Sequence, residues 1–113
     1  MRQKRETSDY LNDILDSIAK IEQFTKGMTY NEFVKDEKTV FAVIRAIEVI
    51  GEAAKNIPLD FRKKHQDFPW KEMSGTRDKL IHGYFGIDYE VIWKTIKEDL
   101  PPLKEKLERL TKK

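Results

Sequence analysis

Residues 37–56 have the sequence EKTVFAVIRAIEVIGEAAKN and form the longest apolar segment of the chain. Their apolar side chains recur at intervals of three and four, which predicts a helix rather than a strand. These side chains cover more than half of the helix circumference, so we expect neighbours on several sides. Asp36 directly precedes the segment and is a typical N-cap residue. The segment therefore predicts the central helix of a helical bundle.

The N-terminal part of the chain predicts two further helices. Residues 5–26 carry isoleucine and leucine at helical spacing and predict a long first helix. Gly27 follows, at the position where a glycine commonly ends a helix. The sequence Thr29-Tyr-Asn-Glu32 matches a capping box and is expected to open a short helix that runs through about Val34.

The C-terminal part of the chain continues the helical spacing. Pro58 is expected to start a short helix. A further helix is expected from about residue 70 or 76 through His82. Asp88 is expected to cap the next helix, whose apolar spacing continues to the end of the chain. Pro101-Pro102 interrupts it and predicts a break or a kink. Because no segment alternates long enough to predict a strand, the expected fold class is all-α.

Length and composition are those of a small globular protein. The 113 residues predict one domain over residues 1–113. The absence of cysteine excludes a disulfide framework, a Cys-ligated zinc site and a Cys nucleophile, and suits a cytoplasmic location. No apolar run approaches the ~18 residues of a membrane span, and no signal peptide is expected at the N-terminus. A net charge of +2 points only weakly to nucleic acid.

The apolar faces exceed what one small bundle needs. The leucine stripe of residues 100–110 and the broad central helix either fill a single core or pack in part against a second copy of the chain. Composition alone favours the single core.

The segment Arg77-Asp-Lys-Leu-Ile-His82-Gly-Tyr84 carries the groups best suited to chemistry. An arginine guanidinium holds phosphate oxygens through a rigid fork of donors, and a histidine moves protons near neutral pH. Together they are suited to cleave a phosphodiester without a metal. The plainer interpretation is a solvated arginine, a histidine cation at a helix C-terminus and a packed tyrosine.

The spacing of the motif restricts how its side chains can meet. On one regular helix, Arg77 and His82 lie about 140° apart in rotation and about 7.5 Å apart along the axis. Either the helix ends or distorts near Gly83 and releases His82, or Arg77 of one protomer approaches His82 of another in a two-fold dimer.

Three blocks of sequence occur in a characteristic order. They are Arg45-Ala-Ile-Glu-Val-Ile-Gly-Glu-Ala-Ala54, Phe68-Pro-Trp-Lys-Glu-Met-Ser-Gly-Thr-Arg77 and Arg77-Asp-Lys-Leu-Ile-His-Gly-Tyr-Phe85. From about residue 8 to the end, the chain resembles the HepT-like branch of the HEPN superfamily, the toxin partners of MNT nucleotidyltransferase antitoxins. The resemblance implies a dimeric antiparallel helical bundle with a metal-independent endoribonuclease cleft at the dimer interface.

The resemblance also implies roles for individual residues. Arg77 and His82 match the family's catalytic Arg-x4-His pair, and Tyr84 matches the tyrosine that the cognate antitoxin modifies with AMP. The AMP would place negative charge and bulk beside the cleft and so block RNA. Asp78 stands where the family often has Asn, and is a candidate to orient an arginine. No cofactor or metal is implied; the expected partners are RNA, the MNT-type antitoxin and a second copy of the chain.

Other candidate residues keep two interpretations each. Glu48 and Glu52, one turn apart on the central helix, either orient Arg77 or His82 or form an ion-pair ladder with basic neighbours. Residues 62–65, Arg-Lys-Lys-His, either steer RNA or form a solvated helix face, which is favoured. Two tryptophans either stack bases or anchor the core, and the core is favoured; they are Trp70 and Trp93.

The main alternative function is a non-catalytic HEPN-type module that binds nucleotides, RNA or a nucleotidyltransferase partner. A third is a purely structural helical partner of another protein. Only the endoribonuclease would cleave RNA, so a cleavage assay separates it from the binding module and from the structural partner.

Overall fold

Seven α-helices make up most of the structure, a computed structural model that describes residues 5–82 and 86–111, with side chains for residues 5–76 and 86–111. The helices are α1 (Thr7–Thr25), α2 (Tyr30–Lys35), α3 (Glu37–Lys55), α4 (Leu59–Lys64), α5 (Trp70–Leu80), α6 (Tyr89–Lys94) and α7 (Leu100–Thr111). A π-helical turn over Thr95–Asp99 joins the last two, and a two-residue antiparallel pair, β1 (Ile81–His82) and β2 (Gly86–Ile87), precedes α6. The predicted all-α fold class is confirmed.

The caps at the starts of α2 and α3 form as the sequence predicts. Thr29 and Glu32 exchange both bonds of a capping box, with the Thr29 amide donating to Glu32 Oε1 at 2.9 Å and the Glu32 amide donating to Thr29 Oγ1 at 3.1 Å. Asp36 Oδ1 accepts from the amide of Thr39 at 3.1 Å. Gly27 adopts a φ of 76°, which costs glycine little and ends the first helix cleanly. These caps satisfy backbone groups that the helices themselves leave without partners.

The core forms around α3, which packs against both α1 and α5, while α7 packs against α1 and α6 packs against α5. The isoleucine stripe of α1 (Ile14, Ile18 and Ile21) is fully buried. Burying such a side chain contributes roughly 1.5–3 kcal/mol. Around the stripe pack the apolar residues of α3 and α7, among them Val43, Ile47 and Leu107.

The terminal leucine stripe fills the chain's own core rather than a second copy. Leu100 and Leu107 are buried, and Leu103 and Leu110 pack against the core. The central helix behaves differently, because Phe41 near its start remains 62% exposed. Leu103 and Leu110 stay partly exposed, as does part of α3, so neither apolar surface is completely covered.

The helical path continues through Pro101-Pro102, where a break or a kink was expected. The π-helical turn lies immediately before the two prolines, and the Leu100 amide there donates to the Thr95 carbonyl, five residues back. A proline ring crowds the carbonyl four residues before it and offers no N–H. The wider turn accommodates this strain locally and leaves α6 and α7 as pieces of one helical run. Within the described residues, no helix has the length and apolar character needed to cross a membrane.

The helix that carries the motif ends earlier than predicted. The sequence suggested a helix through His82, but α5 stops at Leu80 and the next two residues pair with β2. Ile81 is β-branched and Gly83 follows closely, so local preference for a helix is weak here. Pairing with β2 gives the backbone an alternative set of hydrogen bonds.

Candidate active site

Helix α5 carries the Arg77 position and is anchored to the core by its first turns. Trp70 is 6% exposed and Met73 is 2% exposed. The indole Nε1 of Trp70 donates a hydrogen bond of 3.0 Å to the carbonyl oxygen of His65, just after α4. Arg77 follows Trp70 by seven residues, almost two full turns, so its Cα lies on the same stripe of the helix. The Arg77 backbone therefore lies on the same stripe of α5 as that of Trp70.

Gly51 brings α3 and α5 into close contact. A Cβ atom at this position would lie 3.5 Å from the carbonyl oxygens of Met73 and of Ser74. A glycine inside a helix costs about 1 kcal/mol relative to alanine, and here its missing side chain faces the backbone of α5. The sequence interpretation did not use this glycine, although Gly51 interrupts the most apolar helix of the chain.

The two helices run antiparallel from this contact. The chain after α5 reaches α6 at the opposite end of α3, where Trp93 stacks on Phe33 with ring centroids 5.2 Å apart, and α2 with Phe33 directly precedes α3. Glu48 lies one turn before Gly51, and Arg77 lies one turn after Ser74. In antiparallel helices these two positions are expected at the same level, which places the Glu48 backbone on the part of α3 that faces the Arg77 level of α5.

Glu48 and Glu52 occupy different environments on α3. The Glu48 side chain is 29% exposed, and its Oε1 lies 3.7 Å from Arg45 Nη1. Glu52 is exposed and lines a shallow groove with Arg5 and Asp13 on the α1 side of the helix. Glu48 is rotated about 60° from Gly51, and Glu52 about 100°. Of the two carboxylates, Glu48 is the one next to the α5 contact, and it also forms part of the predicted ion pair with Arg45.

His82 lies outside the helix that carries Arg77. Its backbone pairs with Gly86, and Ile81 pairs with Ile87. The angle of about 140° calculated for one regular helix therefore does not apply. The helix ends before His82, which is the first of the two alternatives that the motif spacing allowed. Tyr84, between the two paired strands, lies outside the described residues, as do the side chains of Arg77, Asp78 and His82.

The two tryptophans have structural contacts. Trp70 packs against Phe68, with ring centroids 4.4 Å apart. Trp93 packs against Phe33 and Tyr30, and Lys97 Nζ lies 4.7 Å above its ring. Both tryptophans therefore anchor neighbouring segments, which agrees with the favoured interpretation of the sequence.

Comparison with known proteins supplies the context of this site. Residues 14–110 match the family described as "HepT-like: Ribonuclease HepT-like". A protein of Thermococcus cleftensis named "Probable ribonuclease HepT" is 57% identical over 109 residues, which cover 96% of this chain and 99% of that protein. "Putative RNase MJ1380" of Methanocaldococcus jannaschii is 50% identical, over 93% of this chain and 96% of its own length. No solved structure matches the chain.

Proposed function

The chain belongs to the ribonuclease HepT-like family, and we propose that it is an endoribonuclease that cleaves RNA with Arg77 and His82. The observation that supports this site most directly is the anchoring of α5. Trp70, Met73 and the Gly51 contact hold the helix that carries the Arg77 backbone. His82 follows two residues after that helix ends. A fixed cation and a nearby proton carrier are what phosphodiester cleavage without a metal requires.

The proposed reaction uses the 2′-hydroxyl of the RNA as nucleophile. His82 removes the proton of that hydroxyl, the 2′-oxygen attacks the adjacent phosphorus, and the bond from phosphorus to the 5′-oxygen breaks. A second proton donor, the histidine of a second protomer, protonates the leaving 5′-oxygen. Arg77 stabilises the negative charge that builds on the phosphoryl oxygens. The products are a 2′,3′-cyclic phosphate and a 5′-hydroxyl, so DNA is not cut.

Glu48 is proposed to orient Arg77 from α3. The support is positional: Glu48 is half-buried, lies beside the Gly51 contact and is level with the Arg77 backbone. A carboxylate there would hold the guanidinium by a charge-assisted hydrogen bond. Glu52 faces the groove toward α1 and has no such support. For Asp78, next to Arg77 in the sequence, orientation of an arginine remains the prediction.

A homodimer is proposed because the reaction needs a second proton donor. Exposed apolar side chains support an association of the chain. Four large ones stand out, namely Phe24, Phe41, Leu59 and Val91. In a two-fold dimer each active cleft would combine groups from both copies.

Regulation by AMP addition to Tyr84 completes the proposal. Its support is family membership together with the position of Tyr84, two residues after His82. In this role the chain is the toxin of a toxin–antitoxin pair, and an MNT-type nucleotidyltransferase is the antitoxin. Incubation with that enzyme and ATP is expected to add AMP mass to the wild type and none to Tyr84→Phe. Equal labelling of both proteins would overturn the assignment.

Cleavage of a defined RNA in EDTA tests the catalytic proposal. His82→Ala is expected to lose at least the ~10²–10⁴-fold contribution of general acid–base catalysis. His65→Ala is the matched control, because His65 is the only other histidine and stacks on Phe61 at 4.4 Å. Wild-type products should carry a 2′,3′-cyclic phosphate. If the wild type binds RNA without cutting it, the non-catalytic module is the better description; if His82→Ala cuts at the wild-type rate, His82 is not the base.

A further inference from the structure

A basic groove lies between α4 and the first turn of α5, away from the Arg77 position. Its volume is about 490 Å³, and Arg62, Lys63 and Lys71 contribute its cations. Residues 62–71 contain four Lys or Arg and a single acid, Asp67. The chain as a whole is almost balanced, with 22 basic and 20 acidic residues, so this local excess is a distinct feature of the surface.

Arg62 lines the groove, and one nitrogen of its side chain has no internal partner in the described part of the chain. Its Nε is buried and has no hydrogen-bond partner among the described residues. A buried polar group without a partner costs about 1–3 kcal/mol, and more when it is charged. The backbone beneath it is fixed, because the Arg62 amide donates to the Pro58 carbonyl at 3.1 Å. Because this nitrogen is buried, a ligand in the groove would be attracted by the charge of the Arg62 guanidinium rather than bound by Nε itself.

The first turn of α5 adds a weaker attraction for anions. The first hydrogen bond of this helix runs from the Met73 amide to the Pro69 carbonyl at 3.0 Å, so the amides of Lys71 and Glu72 precede it. Such amides and the helix dipole favour a negative group. The Glu72 carboxylate offsets part of this effect, as does that of Asp67. The three side-chain cations still exceed these two acids in the groove.

The groove is built to hold a backbone rather than bases. Its aromatic residues are not available for stacking, because Phe68 is 3% exposed and Trp70 is 6% exposed. Lys63 and Lys71, by contrast, are exposed and free to reach phosphate oxygens. Contacts to phosphates position a nucleic acid without reading its sequence.

We propose that this groove binds the phosphates of the RNA strand beside the one that is cut. The proposal rests on the proposed function and names a substrate subsite for it. Lys71 and Arg77 lie on the same helix, six residues and thus about 9 Å apart along its axis and about 120° apart in rotation, so the strand passes from one face of α5 to the next. At the ~3.4 Å rise of a stacked strand, that span corresponds to about three nucleotides. The groove holds the strand while Arg77 and His82 act on a phosphate farther along it.

Binding of a strand that cannot react tests the groove separately from catalysis. The probe is a fluorescently labelled 12-nucleotide RNA with 2′-O-methyl groups, measured by anisotropy at several salt concentrations. Lys63→Gln/Lys71→Gln is expected to reduce the slope of log K against log salt by about 1.4, because each single-strand phosphate contact contributes ~0.7. Affinity near 0.1 M salt is expected to fall on the order of tenfold.

Two matched variants separate the groove from general charge. Lys26→Gln/Lys38→Gln removes the same charge from two exposed lysines outside the groove and is expected to keep the wild-type slope. Lys63→Arg/Lys71→Arg keeps the charge and is expected to restore binding. If both glutamine pairs lower the slope equally, the groove is not a site. If a dinucleotide binds the wild type as tightly as the 12-mer does, the groove takes a lone phosphate, and the strand proposal is wrong.

Cleavage of unmodified RNA completes the test. The glutamine variant of the groove is expected to raise KM and leave kcat at the wild-type value, since the reacting groups are untouched. A reduced salt slope in a protein that cuts no RNA would support the groove and overturn the proposed function. Normal cleavage with an unchanged salt slope would overturn the groove alone.

Discussion

Substitution of Gly51 tests how closely α3 and α5 must pack. Alanine at this position should stabilise the protein, because its methyl group would lie 3.5 Å from the Met73 and Ser74 carbonyl oxygens, an ordinary contact. Replacing a helical glycine by alanine contributes about 0.5–1 kcal/mol through the backbone. Leucine adds three carbons where the neighbours are backbone atoms that cannot rotate away. Overpacking of that kind costs about 1–3 kcal/mol, which outweighs the gain in helix propensity.

Gly75 provides the matched control within α5. Apart from its chain neighbours and the backbone of its own helix, no described atom lies within 4 Å of a Cβ built at this position. Both Gly75→Ala and Gly75→Leu should therefore be more stable than the wild type, because each gains helix propensity and neither meets a packing penalty. Gly51→Leu alone is expected to be less stable than the wild type. A change of about 1 kcal/mol in the free energy of unfolding shifts Tm by about 4 °C for a chain of this length.

Denaturation followed by circular dichroism measures these differences, at one fixed protein concentration because association changes apparent stability. RNA cleavage supplies a second measurement. If Gly51→Leu pushes α5 outward by about 1 Å, the Arg77 position moves with it, and a displacement of that size can cost ~10²-fold in rate. Gly51→Ala should keep the wild-type rate. Equal stability and equal activity of Gly51→Leu and Gly51→Ala would refute the close contact between α3 and α5.

Three further predictions concern the fold. The cap on α3 lowers the pKa of Asp36, mainly through the hydrogen bond from the Thr39 amide. The wild type should therefore have a higher free energy of unfolding than Asp36→Asn above about pH 4. This difference should disappear as the pH falls through the lowered pKa, and urea titrations at several pH values would measure it. Phe33→Ala should cost about 3–5 kcal/mol, since Phe33 is 0% exposed, whereas Phe41→Ala at 62% exposure should change the unfolding midpoint little. Trp70→Phe should cost about 1 kcal/mol by loss of its indole hydrogen bond, which chemical denaturation would detect.

The sequence was sufficient to predict the elements that depend on local signals. The capping box at Thr29, the cap at Asp36 and the positive φ of Gly27 all form where the residue types indicate. Each relies on side chains only a few residues apart, so no knowledge of the tertiary fold is needed. The fold class followed from the apolar spacing for the same reason.

The errors arose where apolar periodicity is not the deciding signal. The end of α5 depends on pairing between His82 and Gly86, a contact that helical periodicity does not encode. The π-helical turn before Pro101 depends on the packing that keeps the chain helical on both sides of the prolines. For the candidate site, the sequence supplied Arg77, His82 and Tyr84 as a motif. The level of Glu48 beside Arg77 emerged only from the contact at Gly51.

Arg77 and His82 are close in sequence but are held by different parts of the fold. The Arg77 backbone belongs to a helix fixed by buried side chains and by the contact with α3. The His82 backbone belongs to a two-residue pair, and such a pair is marginal by itself. The second strand of the pair, β2, leads directly into α6, where Asp88 Oδ1 accepts a hydrogen bond from the Val91 amide at 3.2 Å. Under the proposed function, a phosphate-binding cation at Arg77 gains from rigid placement, whereas His82 must come within hydrogen-bond reach of the 2′-hydroxyl that it deprotonates. The division between a rigid helix and a short strand pair suits these two tasks.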